Sequence, residues 1–207
     1  MRIFSMKPFF FIAAAAVILC SCAVKNDYAD VKHKPSKTTQ VIDHPGKKPI
    51  IIEIKDEREE KETVGYIQNS LGMKTAKIFP KEELPVSILR AMQDEMIAKG
   101  FVITEGGLKL LVTLDKCYVD YESNLFAAKS VADLQMNIHV LSESGDPLYF
   151  KKIKAKGIES PIFLYSGKNA TKALNKALKN ALSELMLDHY FIGSLIGETP
   201  TEVIAQD

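Results

Sequence analysis

"VADLQMNIHVL", residues 131–141, is the stretch on which the fold turns: Ala132, Leu134, Met136, Ile138 and Val140 alternate strictly with Asp133, Gln135, Asn137 and His139. Side chains along a strand point alternately to opposite faces, so a period of two puts every apolar residue on one side. One face is buried and the other is wet, the pattern of an antiparallel sheet covered on one side only. "SESGDP" at 142–147 supplies a turn, and "LYFKKIKAKGI" at 148–158 returns as the partner strand. Upstream, "FVIT" at 101–104 and "LKLLVTLDKCYVDY" at 108–121 read as extended segments separated by Gly106 and Gly107.

Two helices cover the apolar face. "LPVSILRAMQDEMIAKG" at 84–100 has Pro85 in a first turn, Ile88, Leu89, Met92 and Met96 at helical spacing, and Gly100 where a left-handed C-terminal residue belongs. A longer helix from about Lys168 to Asp188 carries Leu174, Leu178, Ala181 and Leu185 as its seam, with Lys172, Lys176 and Lys179 off it. Ser166 or Asn169 caps its start, and His189 follows its last turn. "PIIIEIKDEREEKETVGYIQN" at 49–69 gives a strand at Ile50–Ile54, a charge cluster read as a solvated hairpin tip, and a second strand near Val64–Ile67. "LGMKTAKIFP" adds a strand stopped by Pro80. The fold class is therefore α+β: a mostly antiparallel sheet with two amphipathic helices packed on one face, a two-layer sandwich.

The N-terminal region reads as an export signal. Arg2 and Lys7 precede an apolar run from Phe9 to Leu19, shorter than the roughly 20 residues a spanning helix needs. Leu19-Cys20-Ser21-Cys22 then resembles the lipobox of bacterial lipoproteins. That resemblance implies cleavage after Ser21, a diacylglycerol on the Cys22 thiol and further acylation of the new amino terminus. Two or more acyl chains hold a protein stably on a membrane where one does not. Ala23 and Val24 follow the cysteine rather than an Asp, which by the same resemblance favours the outer membrane.

Residues 1–21 are thus the signal and 22–49 a lipidated tether, with the domain at 50–195 and a tail at 196–207. The tether contains Pro35, Pro45, Pro49 and several lysines without apolar periodicity. As a random coil it would span on the order of 30 Å, letting the domain stand off from the lipid; the alternative is that part of it packs on the domain.

Without residues 1–21 the chain keeps 25 basic and 26 acidic side chains, a balance that gives no electrostatic case for nucleic acid. Cys117 is then the sole thiol besides the anchor, so no disulfide framework is expected.

The search for chemistry returns little. "SGKN" at 166–169 ends like a phosphate loop but has Ile162 where its first glycine belongs and no Ser or Thr after the lysine. His139 lies about 20 Å along an extended chain from Asp133, too far to act with it. No metal, cofactor or catalytic residue is assigned. Two features suggest binding. Lys151, Lys152, Lys154 and Lys156 load the return strand, either as a solvated edge that resists aggregation or as a contact for lipid headgroups, peptidoglycan carboxylates or an acidic protein. The stretch "HYFIGSLIGETP", with Tyr190, Phe191 and Ile192, is apolar without regular period and either seals the sheet or docks a neighbour.

"LRAMQDEMIAKGFVI", "LLVTLDKCYVDY", "ADLQMNIHVL" and "KNATKALNKALKNALSELMLD", in this order and spacing behind a lipobox, resemble the YajG family of bacterial outer-membrane lipoproteins. The resemblance covers most of residues 50–195 and implies an anchored envelope protein with no enzymatic activity and no catalytic residues. The functional expectation is a non-enzymatic lipoprotein whose periplasmic domain binds another envelope protein, as an accessory subunit of an outer-membrane or secretion assembly. The alternative is a small-ligand or lipid-handling auxiliary using a groove between helices and sheet.

Overall fold

The computed structural model describes residues 25–35, 40–69, 71–123 and 127–198. Cys22 and residues 199–207 of the tail lie outside them. In chain order the elements are β1 (Asp27–Ala29), β2 (Ile50–Asp56), β3 (Gly65–Gln68), β4 (Lys74–Pro80), α1 (Leu84–Ala98), β5 (Leu108–Ser123), β6 (Ala128–Leu141), β7 (Pro147–Ile162), α2 (Gly167–Met186) and α3 (His189–Ile196).

The alternation at 131–141 does what its period requires. Ser130, Ala132, Leu134, Met136, Ile138 and Val140 of β6 are buried, and the residues between them are only partly covered. β6 is the middle of a long antiparallel meander, paired from Lys109↔Leu141 to Ser123↔Ala128 with β5 and from Ala128↔Ile162 to Leu141↔Pro147 with β7. The far side of β5 is shared. β2 runs parallel to its first half, from Ile50↔Leu108 to Asp56↔Leu114, and β3 touches its second half at Gly65↔Val119. β4 pairs antiparallel with β3, and β1 parallel with β4. The seven strands form one open mixed sheet in the order β1-β4-β3-β5-β6-β7, with β2 beside β5.

The helices cover the face that the alternation buries. α1 contributes Leu84, Ile88, Ala91, Met92 and Met96 to the core, and Gly100 follows it at φ +85°. α2 contributes the expected Leu174, Leu178, Ala181 and Leu185, together with small residues at Ala170, Ala173 and Ala177. Its cap is Ser166, whose side chain accepts from the Asn169 N–H at 3.4 Å. The small residues have a purpose: at Gly157 of β7, a Cβ would lie 2.0 Å from Ala173 O and 2.3 Å from Ala177 N. Helix and strand meet backbone to backbone.

Three expectations are corrected. The charge cluster after β2 is no hairpin tip, because β2 and β3 are not paired with each other but lie one after the other along β5, parallel to it. Residues 57–64 are instead a loop that leaves the sheet and returns. It folds around a buried guanidinium: Arg58 pairs with Asp56 at 2.9 Å and donates to Lys61 O at 2.8 Å and Thr63 O at 3.2 Å.

The apolar stretch after α2 is a third helix. Asp188 caps α3 by accepting from Tyr190 N at 2.9 Å and Phe191 N at 3.2 Å, and Gly197 ends it at φ +77°. His189 therefore opens α3 rather than closing α2. Two turns are too short to display a period, which is why the sequence hides this helix.

The tether is the largest correction, since much of it is packed on the domain. Ala29 and Val31 are buried. Asp30 N donates to Thr171 Oγ1 at 2.9 Å and Lys32 N to Asn175 Oδ1 at 2.8 Å. Both acceptors lie on the polar flank of α2. The His33 ring, almost fully buried, meets Glu95 of α1. Further on, Ile42 N bonds Lys99 O at 3.0 Å, Lys47 Nζ bonds Gly100 O at 3.0 Å, and Lys48 N bonds Leu195 O at 3.4 Å.

Candidate partner-binding face

Odd-numbered residues of β7 from 149 to 159 point to the helices, and even-numbered ones from 150 to 158 point away. The lysine row is therefore split. Lys151 belongs to the helix side, where its ammonium lies 2.9 Å from Asp188 and 3.2 Å from Glu184. It is a structural cation, not a free contact. Burial disfavours the Asp188 carboxylate, but hydrogen bonds from Lys151, Tyr149 and the Phe191 N–H outweigh this and hold its pKa below the ordinary value. Tyr149 donates to the same oxygen at 2.9 Å, and burial together with this bond pushes the phenol above its usual range.

Phe191 also drops out as a contact. It is fully buried with its ring 5.5 Å from that of Tyr149. Ile192 packs partly against the core, whereas Tyr190 is half exposed. Of the two readings left open for this stretch, the structure supports sealing the sheet.

Lys152, Lys154 and Lys156 lie on the uncovered face, flanked along the strand by the exposed side chains of Phe150 and Ile158. Most charges on this face have partners. Lys152 pairs with Asp115 at 3.2 Å, and Asp115 also accepts from Asn137 at 2.8 Å. Lys116 pairs with Asp133 at 2.7 Å. His139 lies 4.6 Å, centroid to centroid, from the Phe150 ring. Among the described residues the ammonium groups of Lys154 and Lys156 have no acidic partner.

Part of the outer edge of β7 is occupied by side chains of α2. Asn180 Nδ2 donates to Lys156 O at 2.8 Å and Lys176 Nζ to Ile158 O at 2.8 Å, so α2 side chains occupy carbonyls that an added strand would need.

Beside the lysines the same face has a depression of about 470 Å³, walled by Glu57, Glu59 and Glu60 of the loop and by Asp115, Lys116 and Gln135 of the sheet. It exists because β5 has a bulge between Leu114 and Lys116 where β2 leaves it. The sequence shows the charges but not the bulge that brings them together. Cys117 sits behind this wall, buried, its thiol pushed up to about 12 by desolvation, and so held as a neutral, unreactive group. Among the described residues no cluster of three or more His, Cys, Asp or Glu is placed to hold a metal ion. The space between helices and sheet that a lipid carrier would use is occupied by Met92, Met96, Leu134, Met136 and Leu178 in a single core.

Among the described residues no helix is long and apolar enough to cross a membrane. No curated protein matches the chain. Of solved structures, the Xanthomonas campestris protein XCC0632, of family DUF330, is similar in fold at TM-score 0.55 and 12% identity, covering 84% of this chain and 97% of its own. A Helicobacter pylori protein described as a neuraminyllactose-binding hemagglutinin homolog matches at TM-score 0.38 and 14% identity, covering 80% of this chain and 94% of its own. A family model described as uncharacterized lipoprotein matches residues 38–195, so the chain belongs to that lipoprotein family.

Proposed function

We propose that this protein is an outer-membrane lipoprotein of the YajG kind, acylated at Cys22 and facing the periplasm, and that its domain is a non-enzymatic binding module for another envelope protein, as an accessory subunit of an outer-membrane or secretion assembly. Lipoprotein family membership and the lipobox support the anchor. The observation that carries the binding role is the uncovered face of β5–β7, where among the described residues Lys154 and Lys156 stand without acidic partners while the neighbouring Lys116 and Lys152 are paired. Unneutralised charge on a rigid sheet steers an oppositely charged surface and selects its register more than it adds affinity. The partner surface is therefore acidic, with apolar groups to meet Phe150 and Ile158.

The test is a photocrosslinking amino acid placed at Lys154 in intact cells, with Lys179 on the outer side of α2 as control. A discrete protein adduct at 154 and not at 179 is expected. Monomer alone at both positions would overturn the binding role. Palmitate labelling of the full chain, lost in Cys22→Ser, tests the anchor separately.

A further inference from the structure

Two connections of the sheet and the entry of the N-terminal segment gather on one side of it. β5 ends at Ser123 opposite the start of β6 at Ala128, which is in turn opposite the end of β7 at Ile162. β3 runs parallel to β5, so the β3–β4 turn lies at this same end. β1, parallel to β4, enters from this same side, with Asp27 opposite Ile78 and so further into the sheet than the turn at Lys74, and α2 begins beside it, with Gly167 N donating to Asp27 Oδ2 at 2.7 Å.

Apolar side chains stand exposed at the tips of this end. Phe163 is 95% exposed and Leu164 75% in the β7–α2 connection; Leu71 is 80% exposed in the β3–β4 turn, with Met73 and Tyr28 also more than half exposed. The Phe163–Leu164 backbone is not loose. Asn169 Nδ2 bonds Leu164 O at 2.7 Å, Tyr165 stacks on Tyr121 at 4.7 Å, and the Tyr121 hydroxyl bonds Ser166 O at 2.7 Å. The fold holds two large apolar side chains in solvent on a fixed support.

Asp27 is clamped to the start of α2, and it lies five Cα–Cα steps from Cys22. At no more than about 3.6 Å per residue, the lipidated sulfur's Cα lies within roughly 18 Å of Asp27. With strands about 4.8 Å apart, the β3–β4 turn and the β7–α2 connection stand several strands apart along the sheet end. Spread in this way, the apolar side chains make a rim rather than a pocket. A rim of separated apolar tips suits a fluid, planar apolar surface.

We infer that Leu71, Met73, Phe163 and Leu164 dip into the lipid headgroup region, so that the domain stands on its membrane by this end instead of floating from a long leash. This rests on acylation at Cys22. The apolar tips orient the domain and the acyl chains hold it, since amphipathic side chains at an interface add to an anchor's binding in proportion to the area they bury. The exposed Lys25 and Lys168, beside the same end, suit anionic headgroups.

The experiment uses the full-length acylated protein with one added thiol, at Phe163→Cys, Leu71→Cys or, at the opposite end, Glu143→Cys, labelled with an environment-sensitive fluorophore. Cys117 is buried and does not compete. The protein is reconstituted on vesicles of phosphatidylethanolamine and phosphatidylglycerol, with and without doxyl-labelled lipid. Labels at 163 and 71 should shift to the blue and be quenched several-fold more than at 143. As a second measure, Phe163→Ser with Leu164→Ser should lower the quenching at 71 while the protein still floats with the vesicles. Flotation with water-like emission at 71 and 163 would overturn the orientation and leave the anchor standing. A blue shift at 163 without vesicles would assign the rim to self-association instead and overturn it likewise. Failure of the full chain to float would overturn the anchor, and this inference with it.

Discussion

The turns and fastenings at the two ends of the sheet are built differently. At the end where Asp27 enters, turns carry bare Leu71, Phe163 and Leu164. At the other, the β6–β7 turn is a closed polar knot, with Ser142 N bonding Asp146 O at 2.8 Å and Asp146 N bonding Ser142 Oγ at 3.0 Å. The fastenings differ too. β1 is held at the first end by close backbone approach: a Cβ on Gly167 would lie 2.3 Å from Tyr28 O. α3 is held at the second by a half-buried carboxylate, Asp188, which Tyr149, Lys151 and two backbone N–H groups all address.

The change with the largest expected effect should break both ends together. Gly157→Ala puts a methyl into the backbone of α2, whose two ends carry Gly167 and the approach to Asp188. Neither partner atom is a flexible side chain, so the helix must lift from the sheet. A loss of about 3 kcal/mol is expected from urea unfolding. Wild-type stability would show that helix and strand do not meet at Gly157 in this way.

Gly167→Ala should break the first end only. The added methyl displaces Tyr28 O, and residues 27–33 lose their place beside β4 and α2, at an expected cost of about 2 kcal/mol. Limited proteolysis should then cut between Lys25 and Lys34, where the wild-type chain resists. The Cys117 thiol separates this local release from global unfolding. Raised to about 12 by burial, it should stay inert to alkylating reagents in native Gly167→Ala and react when the core opens. Rapid native labelling would mean that the damage is not confined to one end.

How legible these ends were follows from how far away their partners lie. β6 and α2 announce themselves because their periods, two and 3.6, are written in consecutive residues such as Leu134-Gln135-Met136 and Leu174 to Leu178. β1 does not. It has three residues with one buried side chain, Ala29, and the residues just after it add buried Val31 and the bonds of Asp30 and Lys32 to Thr171 and Asn175, 141 and 143 residues away. Nothing local distinguishes such a segment from a solvated linker. The candidate face was half legible: the lysine row was visible, but its division by the pleat into Lys151 on one side and Lys152, Lys154 and Lys156 on the other needed the register. The Arg58 loop was invisible, since only the bulge near Asp115 turns a charge cluster into a wall.

Asp188 tests the second end by pH. Asp188→Ala removes the α3 cap and leaves Tyr149 and Lys151 without their acceptor, for an expected loss of about 2 kcal/mol. Asp188→Asn keeps a capping oxygen and loses the charge, so it should cost less. Because the folded carboxyl titrates below its ordinary value, its stabilisation is fully present above about pH 4 and fades as pH falls through the folded pKa. The gap between wild type and Asp188→Asn in denaturant midpoint should therefore narrow in acid. A gap constant from neutral pH downward would mean the charge is not what holds this end.

The smallest effect on stability should come from the face that belongs to neither end. Lys154→Ala and Lys156→Ala remove exposed ammonium groups with no acidic partner among the described residues, and each should change unfolding free energy by less than about 0.5 kcal/mol. Lys152→Ala is the informative neighbour, because it strips Asp115 of its cation beside Asn137 and the 470 Å³ depression. If the face exists for the fold's sake, the three lysines should be equally dispensable in cells. If it exists for a partner, Lys156→Ala should weaken the adduct formed from position 154 while the domain melts as before. That separation of binding from stability distinguishes a docking face from a merely soluble one.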